Sequence, residues 1–100
     1  MFPIEKYIDQ IKLLCEKYKV KKLFIFGSAL TNNFKASSDI DFLYVMKKSD
    51  PIDMGNNILD LYIDLESALG RKIDLVSYNS IRNAYFKESV EKSKVLIYNA

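Results

Sequence analysis

Two acidic residues interrupt a stretch of the chain that otherwise has the composition of a buried β-strand. The segment Phe24–Met46 reads FIFGSALTNNFKASSDIDFLYVM, and Asp39 and Asp41 enter its second apolar run. Side chains alternate between the faces of a strand, so both carboxylates project from one face, about 6.5–7 Å apart along the chain. Ile40 and Phe42 point to the opposite face, into the core. Because burying an uncompensated carboxylate is costly, the acids either lie at the solvent-exposed end of the strand or bind a cation.

Composition restricts the chemistry that the chain can perform. The 100 residues include one cysteine and no histidine. Sites of the Ser-His-Asp and Cys-His types are therefore excluded, and no zinc site of the usual kind can form. The side chains left for catalysis are those of Asp, Glu, Lys, Arg, Tyr and Ser. Carboxylate oxygens are hard ligands, which points to Mg²⁺ or Mn²⁺.

The apolar positions predict a mixed β-sheet of about four strands covered by helices, an α/β (α+β) fold. Strands are indicated at Lys21–Phe26, Asp39–Met46 and Arg71–Ser77, and in the VLIYN run that begins at Val95. A first helix is indicated by apolar residues at helical spacing, namely Ile4, Tyr7, Ile8, Ile11, Leu14, Cys15 and Tyr18. No linker or internal repeat divides the chain, so we expect a single domain over residues 1–100.

Capping signals bound two further helices. Asp50 is the predicted N-cap of the second helix, and Gly70 is its predicted end. The last helix is predicted to begin at a cap provided by Asn79 or Ser80 and to continue to about Lys92.

The same patterns bear on cellular location and on the class of partner. The apolar runs are too short to span a bilayer, and the first residues have no apolar signal-peptide core. The lone Cys15 cannot form an internal disulfide, which fits the cytoplasm. A formal net charge of +2 does not suggest a duplex-binding surface, so we expect neither a membrane nor a nucleic-acid partner.

A third acid and a Gly-Ser pair complete a candidate site. Asp74 lies in the apolar run KIDLVS, whose strand could pair beside the one that carries Asp41. Gly27 and Ser28 follow the first strand and precede a short helical turn, where backbone amides can approach a phosphate. Two carboxylates on one strand face can converge on a pair of divalent ions about 3.5–4 Å apart. The sequence thus predicts a phosphate-binding turn beside three carboxylates.

Each feature also has a simpler interpretation. A Gly-Ser pair after a strand is usually only a turn. Asp39 alone could begin a strand after a polar loop, and Asp74 alone could pair with Arg71 or Lys72.

In combination, these motifs resemble a known family. The segment GSALTNNFKASSDID resembles the Gly-Ser, ten-residue spacer, Asp-x-Asp signature of polymerase-beta-type nucleotidyltransferases, and KIDLVS resembles their third acidic strand. Chain length and the tail SIRNAYFKESVEKSKVLIYN are most similar to the minimal nucleotidyltransferase (MNT) branch, and the likeness covers nearly the whole chain. Members of that branch are often paired with a HEPN-domain protein.

The resemblance implies a fold, a reaction and roles for named residues. It implies the nucleotidyltransferase fold and transfer of a nucleoside monophosphate from an NTP, with two Mg²⁺ ions (or Mn²⁺) and release of pyrophosphate. Gly27 and Ser28 would hold the NTP phosphates, and Asp39 and Asp41 would bind both metals. Asp74 would bind the catalytic metal and help to activate the acceptor hydroxyl.

For the partner, the resemblance implies a helical HEPN-type toxin, with ATP as donor and a side-chain hydroxyl, Tyr by preference, as acceptor. The chain would then be the cytoplasmic antitoxin that silences this toxin. A docking surface is expected on the aromatic and apolar tail, at Tyr85, Phe86, Leu96 and Tyr98. Two alternatives stay open: an inactive protein that neutralises its partner by occlusion, and a subunit that modifies a small molecule. Association between copies of the chain is also open.

One departure from the family pattern concerns the Gly-Ser turn. Many relatives carry Arg directly after Gly-Ser and a Gly later in the same short helix, where this chain has Ala29-Leu30 and Asn32-Asn33. Arginine is the better bidentate phosphate ligand, so its absence predicts weaker triphosphate binding. Lys35 is a candidate replacement as a point charge.

Overall fold

A computed structural model describes residues 1–100 as a four-stranded sheet with helices on both faces. The strands are β1 (Val20–Phe26), β2 (Ile40–Met46), β3 (Ile73–Ser77) and β4 (Val95–Asn99). The helices are α1 (Ile8–Lys17), α2 (Pro51–Leu69) and α3 (Ala84–Ser93), and short 3₁₀ turns lie at Ile4–Tyr7, Gly27–Leu30 and Tyr78–Ser80.

The sheet is mixed, which confirms the predicted fold class. Its strand order is β3-β2-β1-β4. β1 runs antiparallel to both β2 and β4, whereas β2 and β3 are parallel. The parallel pair is joined by α2, because a connection that returns the chain to the same end of the sheet needs a crossover.

The main core lies between one face of the sheet and helices α1 and α2. It is built from completely buried side chains of all these elements, among them Ile11, Cys15, Leu23, Ile25, Ile40, Phe42, Leu61 and Leu65. On the opposite face, a smaller cluster of Phe26, Leu43 and Val90 lies under α3. Alternation along the strands explains the division, since Ile25 and Phe26 are consecutive and enter different clusters.

The termini of α2 form as predicted. The carboxylate of Asp50 accepts hydrogen bonds from the backbone N–H groups of Ile52 (3.1 Å) and Asp53 (3.4 Å), and Pro51 occupies the first helical position. Gly70 ends the helix in the left-handed conformation with φ +65°. A cap and a positive-φ glycine thus fix both ends of the longest helix.

The predicted start of the last helix is wrong. Asn79 and Ser80 lie in a 3₁₀ turn, the backbone is extended at Ile81, and α3 begins only at Ala84. Asn83 is the N-cap, and its side-chain oxygen accepts a hydrogen bond of 2.9 Å from Phe86 N–H. The extended segment lets Ile81 pack against the small cluster under α3, which a helix starting at Asn79 would not allow.

Two strands begin later than predicted. β2 starts at Ile40 rather than Asp39, and β3 starts at Ile73 rather than Arg71. Arg71 turns toward a neighbouring loop instead of joining the sheet. The helices lack the combined length and apolarity that a membrane span requires.

Candidate active site

The parallel pairing of β2 and β3 places Asp41 directly beside Asp74. The two residues are cross-strand partners in register, on strands that in any sheet run about 4.8 Å apart. Their neighbours Ile40 and Ile73 are also partners, and both are buried in the main core on the other face. The alternation predicted for β2 therefore holds for β3 as well. Both carboxylates project from the α3 face of the sheet.

Asp39 joins these two residues at the same end of the sheet. It lies immediately before β2, two residues from Asp41, and its side chain is exposed. Asp74 is also exposed, whereas Asp41 is half-buried between them. The structure thus brings together the three acids that the sequence singled out, in a row open to solvent.

Burial and like charge destabilise the ionised form of Asp41. Desolvation raises the pKa of this carboxyl above its ordinary value, and the negative charges of Asp74 and Asp39 raise the pKa further. Neither neighbour is neutralised by a cationic side chain, since the only ion pairs in the fold are Lys92–Glu88 and Lys94–Glu91. The simpler interpretation of Asp74, a pair with Arg71 or Lys72, is therefore not found.

The Gly-Ser turn lies against this carboxylate row. Phe26, the last residue of β1, is the cross-strand partner of Asp41, so the chain turns at Gly27 directly beside the acid. Gly27 has φ +78°, and a Cβ added to it would lie 2.5 Å from Oδ2 of Asp41. Glycine is thus required here both for the backbone conformation and for the space that Asp41 occupies.

The 3₁₀ turn that follows is held by its own hydrogen bonds. The Ser28 carbonyl accepts from the backbone N–H of Thr31 (3.0 Å) and from the Thr31 hydroxyl (2.9 Å). Ala29, the residue directly after the Gly-Ser pair, is completely buried in the main core. A long cationic side chain would not fit there without rearranging the turn. Ala29 is therefore a packing residue of the core in this chain.

Sequence reasoning missed the residue that anchors the loop before Asp39. One terminal nitrogen of Arg71 donates hydrogen bonds to the carbonyl oxygens of Lys35 (2.9 Å), Ala36 (3.0 Å) and Ser38 (3.0 Å). Its guanidinium carbon also lies 4.4 Å from the ring centre of Phe34. No local pattern predicts a contact across this separation in the chain.

A polar cleft opens beside that anchor. Its volume is about 520 Å³, and it is lined by Ala36, Ser37, Ser38, Asp39, Gly70, Arg71 and Lys72. The cleft adjoins the carboxylate row through Asp39 and carries two cationic side chains. It is wide and polar enough to admit a charged group next to the acids.

The carboxylate row fits divalent metal ions by its chemistry, although it is not a closed cluster. No three His, Cys, Asp or Glu side chains are close enough together to enclose an ion in the structure. Like-charged carboxylates repel one another, and a cation that neutralised them would favour a closer arrangement. Asp39, Asp41 and Asp74 offer hard oxygen ligands and uncompensated negative charge, as Mg²⁺ or Mn²⁺ requires.

Aromatic residues at the start of α3 border the site on the sheet face that carries the acids. The ring of Phe86 packs edge-on against Phe26 at 6.0 Å, next to Asp41 in the sheet. Tyr85 is 84% exposed, whereas Tyr98 at the other end of the expected docking surface packs partly into the main core. The exposed part of that surface therefore lies at the start of α3 and on β4.

Comparisons with known proteins find relatives over most of the chain. Residues 9–100 match the profile of the family described as "Polymerase beta, Nucleotidyltransferase". A Methanocaldococcus jannaschii protein, provisionally named a protein adenylyltransferase, is 42% identical over 86 residues, which are 86% of this chain and 85% of that protein.

Solved structures share the fold at lower identity. A protein provisionally described as a minimal nucleotidyltransferase superposes with a TM-score of 0.75 at 21% identity, over 92% of this chain and 90% of the other. A chain in the structure of the tri-AMPylated Shewanella oneidensis HEPN toxin in complex with MNT antitoxin gives a TM-score of 0.64 at 22% identity, over 96% and 72%.

Proposed function

Because the chain belongs to the polymerase beta nucleotidyltransferase family, we propose that it transfers AMP from ATP to a hydroxyl group of a partner protein. The observation that carries the proposal is the in-register pair of Asp41 and Asp74, of which Asp41 lies against the Gly27 turn. A row of unneutralised carboxylates beside a backbone turn suits a substrate that arrives as a metal–triphosphate complex.

The residues of this chain have separate parts in the reaction. Gly27 and the amides after it would bind the triphosphate, because Gly27 has no side chain of its own to keep a phosphate from the backbone. Asp39, Asp41 and Asp74 would hold two Mg²⁺ ions, for which Mn²⁺ could substitute. When bound, the metals neutralise charge on the phosphates and on the departing pyrophosphate.

In this proposal Asp74 receives the acceptor. It lies on β3, at the edge of the sheet, and its side chain is exposed, whereas Asp41 is partly enclosed. In the proposed step the acceptor hydroxyl oxygen forms a bond to the α-phosphorus, and the bond from that phosphorus to the pyrophosphate oxygen breaks. The hydroxyl proton passes to the Asp74 carboxylate and then to solvent, and pyrophosphate leaves.

A protein acceptor is supported by the relatives and by the exposed surface near the site. Several Methanocaldococcus jannaschii relatives are provisionally named protein adenylyltransferases. The exposed residues Tyr85 and Leu96 provide an apolar surface on α3 and β4 for a partner. We propose a helical HEPN-type partner, with a tyrosine hydroxyl as acceptor, whose silencing would make this chain the antitoxin of a pair in the cytoplasm.

Transfer from differently labelled ATP tests the reaction. The chain is co-purified with its partner and incubated with Mg²⁺ and ATP carrying radioactive phosphorus at the α or the γ position. Nucleotidyl transfer predicts that only the α label becomes attached to the partner, and that Asp41→Asn abolishes the attachment. Attachment of the γ label would show phosphoryl transfer instead, and would overturn the proposal.

The same experiment separates the two alternatives. Occlusion predicts a stable, inhibited complex in which the partner carries neither label. A small-molecule acceptor predicts that the α label appears in a product that passes through a protein-retaining filter. Titration of the wild-type protein with Mg²⁺-ATP is done first, because ATP binding is required for either transfer outcome but not for occlusion.

A further inference from the structure

Helix α2 carries a second apolar row, on the side that faces away from the sheet. Ile52, Leu59 and Ile63 are 73%, 57% and 52% exposed. Their spacing of seven and four residues aligns them along one side of the helix, and we call them the outer row. The opposite side of α2, with Leu61 and Leu65, is completely buried. The outer row therefore contributes nothing to the core of this chain.

A groove lies between α2 and α1, on the side of α2 that carries Asp64. Leu13 of α1 is 65% exposed, and the groove between the two helices has a volume of about 420 Å³. Its walls are formed by Gln10, Leu13, Leu14, Asp64, Ser67 and Ala68. Amphipathic helices bind proteins by packing their apolar side chains against an exposed apolar row and a neighbouring groove of this kind.

The charges of α2 are all of one sign. The helix has four acidic residues and no lysine or arginine. Asp53, Asp60 and Asp64 repeat the spacing of seven and four residues, so they form an acidic row parallel to the outer row. Asp64 accepts a hydrogen bond from the Tyr18 hydroxyl at the groove, and none of these acids is in an ion pair.

We infer that the outer row of α2 and its acidic flank bind an amphipathic helix of another protein, whose apolar residues are bordered by lysine or arginine. The acidic row disfavours nucleic acid and anionic lipid, which carry the same sign of charge. It also disfavours a second copy of this chain, because antiparallel pairing of two α2 helices would bring acidic rows together. Opposite charge on the partner provides both attraction and register.

This surface is separate from the carboxylate row. α1 and α2 cover the face of the sheet that buries Ile40 and Ile73, and Asp41 and Asp74 project from the other face. A helix bound along α2 leaves the site open to ATP and to an acceptor. The inference therefore stands independently of the proposed transfer reaction.

Binding of a defined peptide tests the inference. The probe is a synthetic helix with leucines at helical spacing and lysines beside them, and its matched control carries glutamate in place of each lysine. Titration is followed by NMR of the full chain. We expect the lysine probe to shift the resonances of the outer row and Leu13, to bind at least tenfold more tightly than the glutamate control, and to weaken with added salt.

Variants locate the contact. The double variant L59S/I63S removes only exposed side chains and is expected to weaken the lysine probe at least tenfold, whereas L96S on β4 leaves binding unchanged. Equal binding of both peptides, absence of binding, or shifts confined to α3 and β4 would overturn the inference. So would a wild-type dimer in sedimentation that L59S/I63S dissociates, because a second copy would then cover the row.

Discussion

The carboxylate of Asp41 lies so close to Gly27 that it leaves no room for a side chain at position 27. A Cβ on Gly27 would lie 2.5 Å from Oδ2 of Asp41, well inside van der Waals contact. Both residues are placed by the same sheet pair, because Phe26 and Asp41 are partners across β1 and β2. The turn that we propose for phosphate binding and the carboxylate that we propose for metal binding are therefore one structural unit.

Replacing Gly27 with alanine should damage this unit as well as the backbone. Gly27→Ala places a side chain at φ +78°, which costs about 1–2 kcal/mol, and displaces the Asp41 carboxylate. Gly70→Ala is the matched control, since its φ is +65° and nothing lies within 4 Å of the added Cβ. We expect both variants to lose stability in urea unfolding, Gly27→Ala by at least as much as Gly70→Ala, but only Gly27→Ala to lose Mg²⁺-ATP binding. Equal ATP binding by the two variants would contradict this role.

Asp41 should make stability depend on pH in a defined direction. Its pKa is raised in the folded state, so the protonated carboxyl is favoured by folding, and stability falls as the pH rises above the ordinary value of 3.8. Asp41→Asn should therefore be more stable than wild type at pH 7, with a difference that narrows as the pH falls toward 3.8. Mg²⁺ should stabilise the wild type but not the variant.

The control for this titration is Asp60→Asn, an exposed position on α2. Thermal unfolding of the three proteins across pH, with and without Mg²⁺, gives the comparison. If Asp60→Asn gains as much stability as Asp41→Asn, the effect arises from net charge and not from the carboxylate row.

Local signals in the sequence were enough to predict the fold class and to single out Asp41 and Asp74, which the structure places side by side. Alternation in β2 placed Ile40 and Phe42 in the core, and the structure buries both completely. The Asp50 cap and the terminal Gly70 depend only on neighbouring residues, so both were readable from the sequence. The partnership of Asp41 and Asp74 was expected only as two strands lying side by side, because register depends on the whole sheet.

Contacts between distant segments could not be predicted. The hydrogen bonds from Arg71 to the loop before Asp39 join residues more than 30 positions apart. The sequence alone does not locate the start of α3, because Asn79, Ser80 and Asn83 are all competent caps, and only the packing of Ile81 selects the last of them. The sequence predicts weaker triphosphate binding from the absence of arginine after Gly-Ser, but only the structure shows that Ala29 is part of the core.

Arg71 should hold the loop before Asp39 in place and thereby position the Asp39 carboxylate. Arg71→Ala removes three hydrogen bonds from a charged donor, so we expect a loss of at least about 1 kcal/mol of stability and a lower kcat/KM for transfer. Arg71→Lys keeps the charge but lacks the planar fork, and should recover only part of either property. Lys72→Ala, at the exposed neighbouring position, is the control. Full activity in Arg71→Ala would show that the loop needs no anchor.

The N-cap of α3 can be tested in the same way. Asn83→Ala removes the acceptor for Phe86 N–H and should cost about 1 kcal/mol. For a domain of this size, that loss corresponds to a fall in Tm of about 4–8 °C. Asn79→Ala removes no cap in the observed fold and should leave Tm nearly unchanged. A larger fall in Tm for Asn79→Ala than for Asn83→Ala would indicate that the helix begins at Asn79 and not after Asn83.

The intact mass of the partner shows whether AMP is transferred to it. The partner is co-expressed with the wild-type chain or with Asp41→Asn, and each complex is isolated and weighed by mass spectrometry. Our account predicts that the partner gains the mass of one or more AMP groups beside the wild-type chain and none beside Asp41→Asn. A stable complex whose partner has the same unmodified mass in both cases, with ATP and Mg²⁺ supplied, would contradict it.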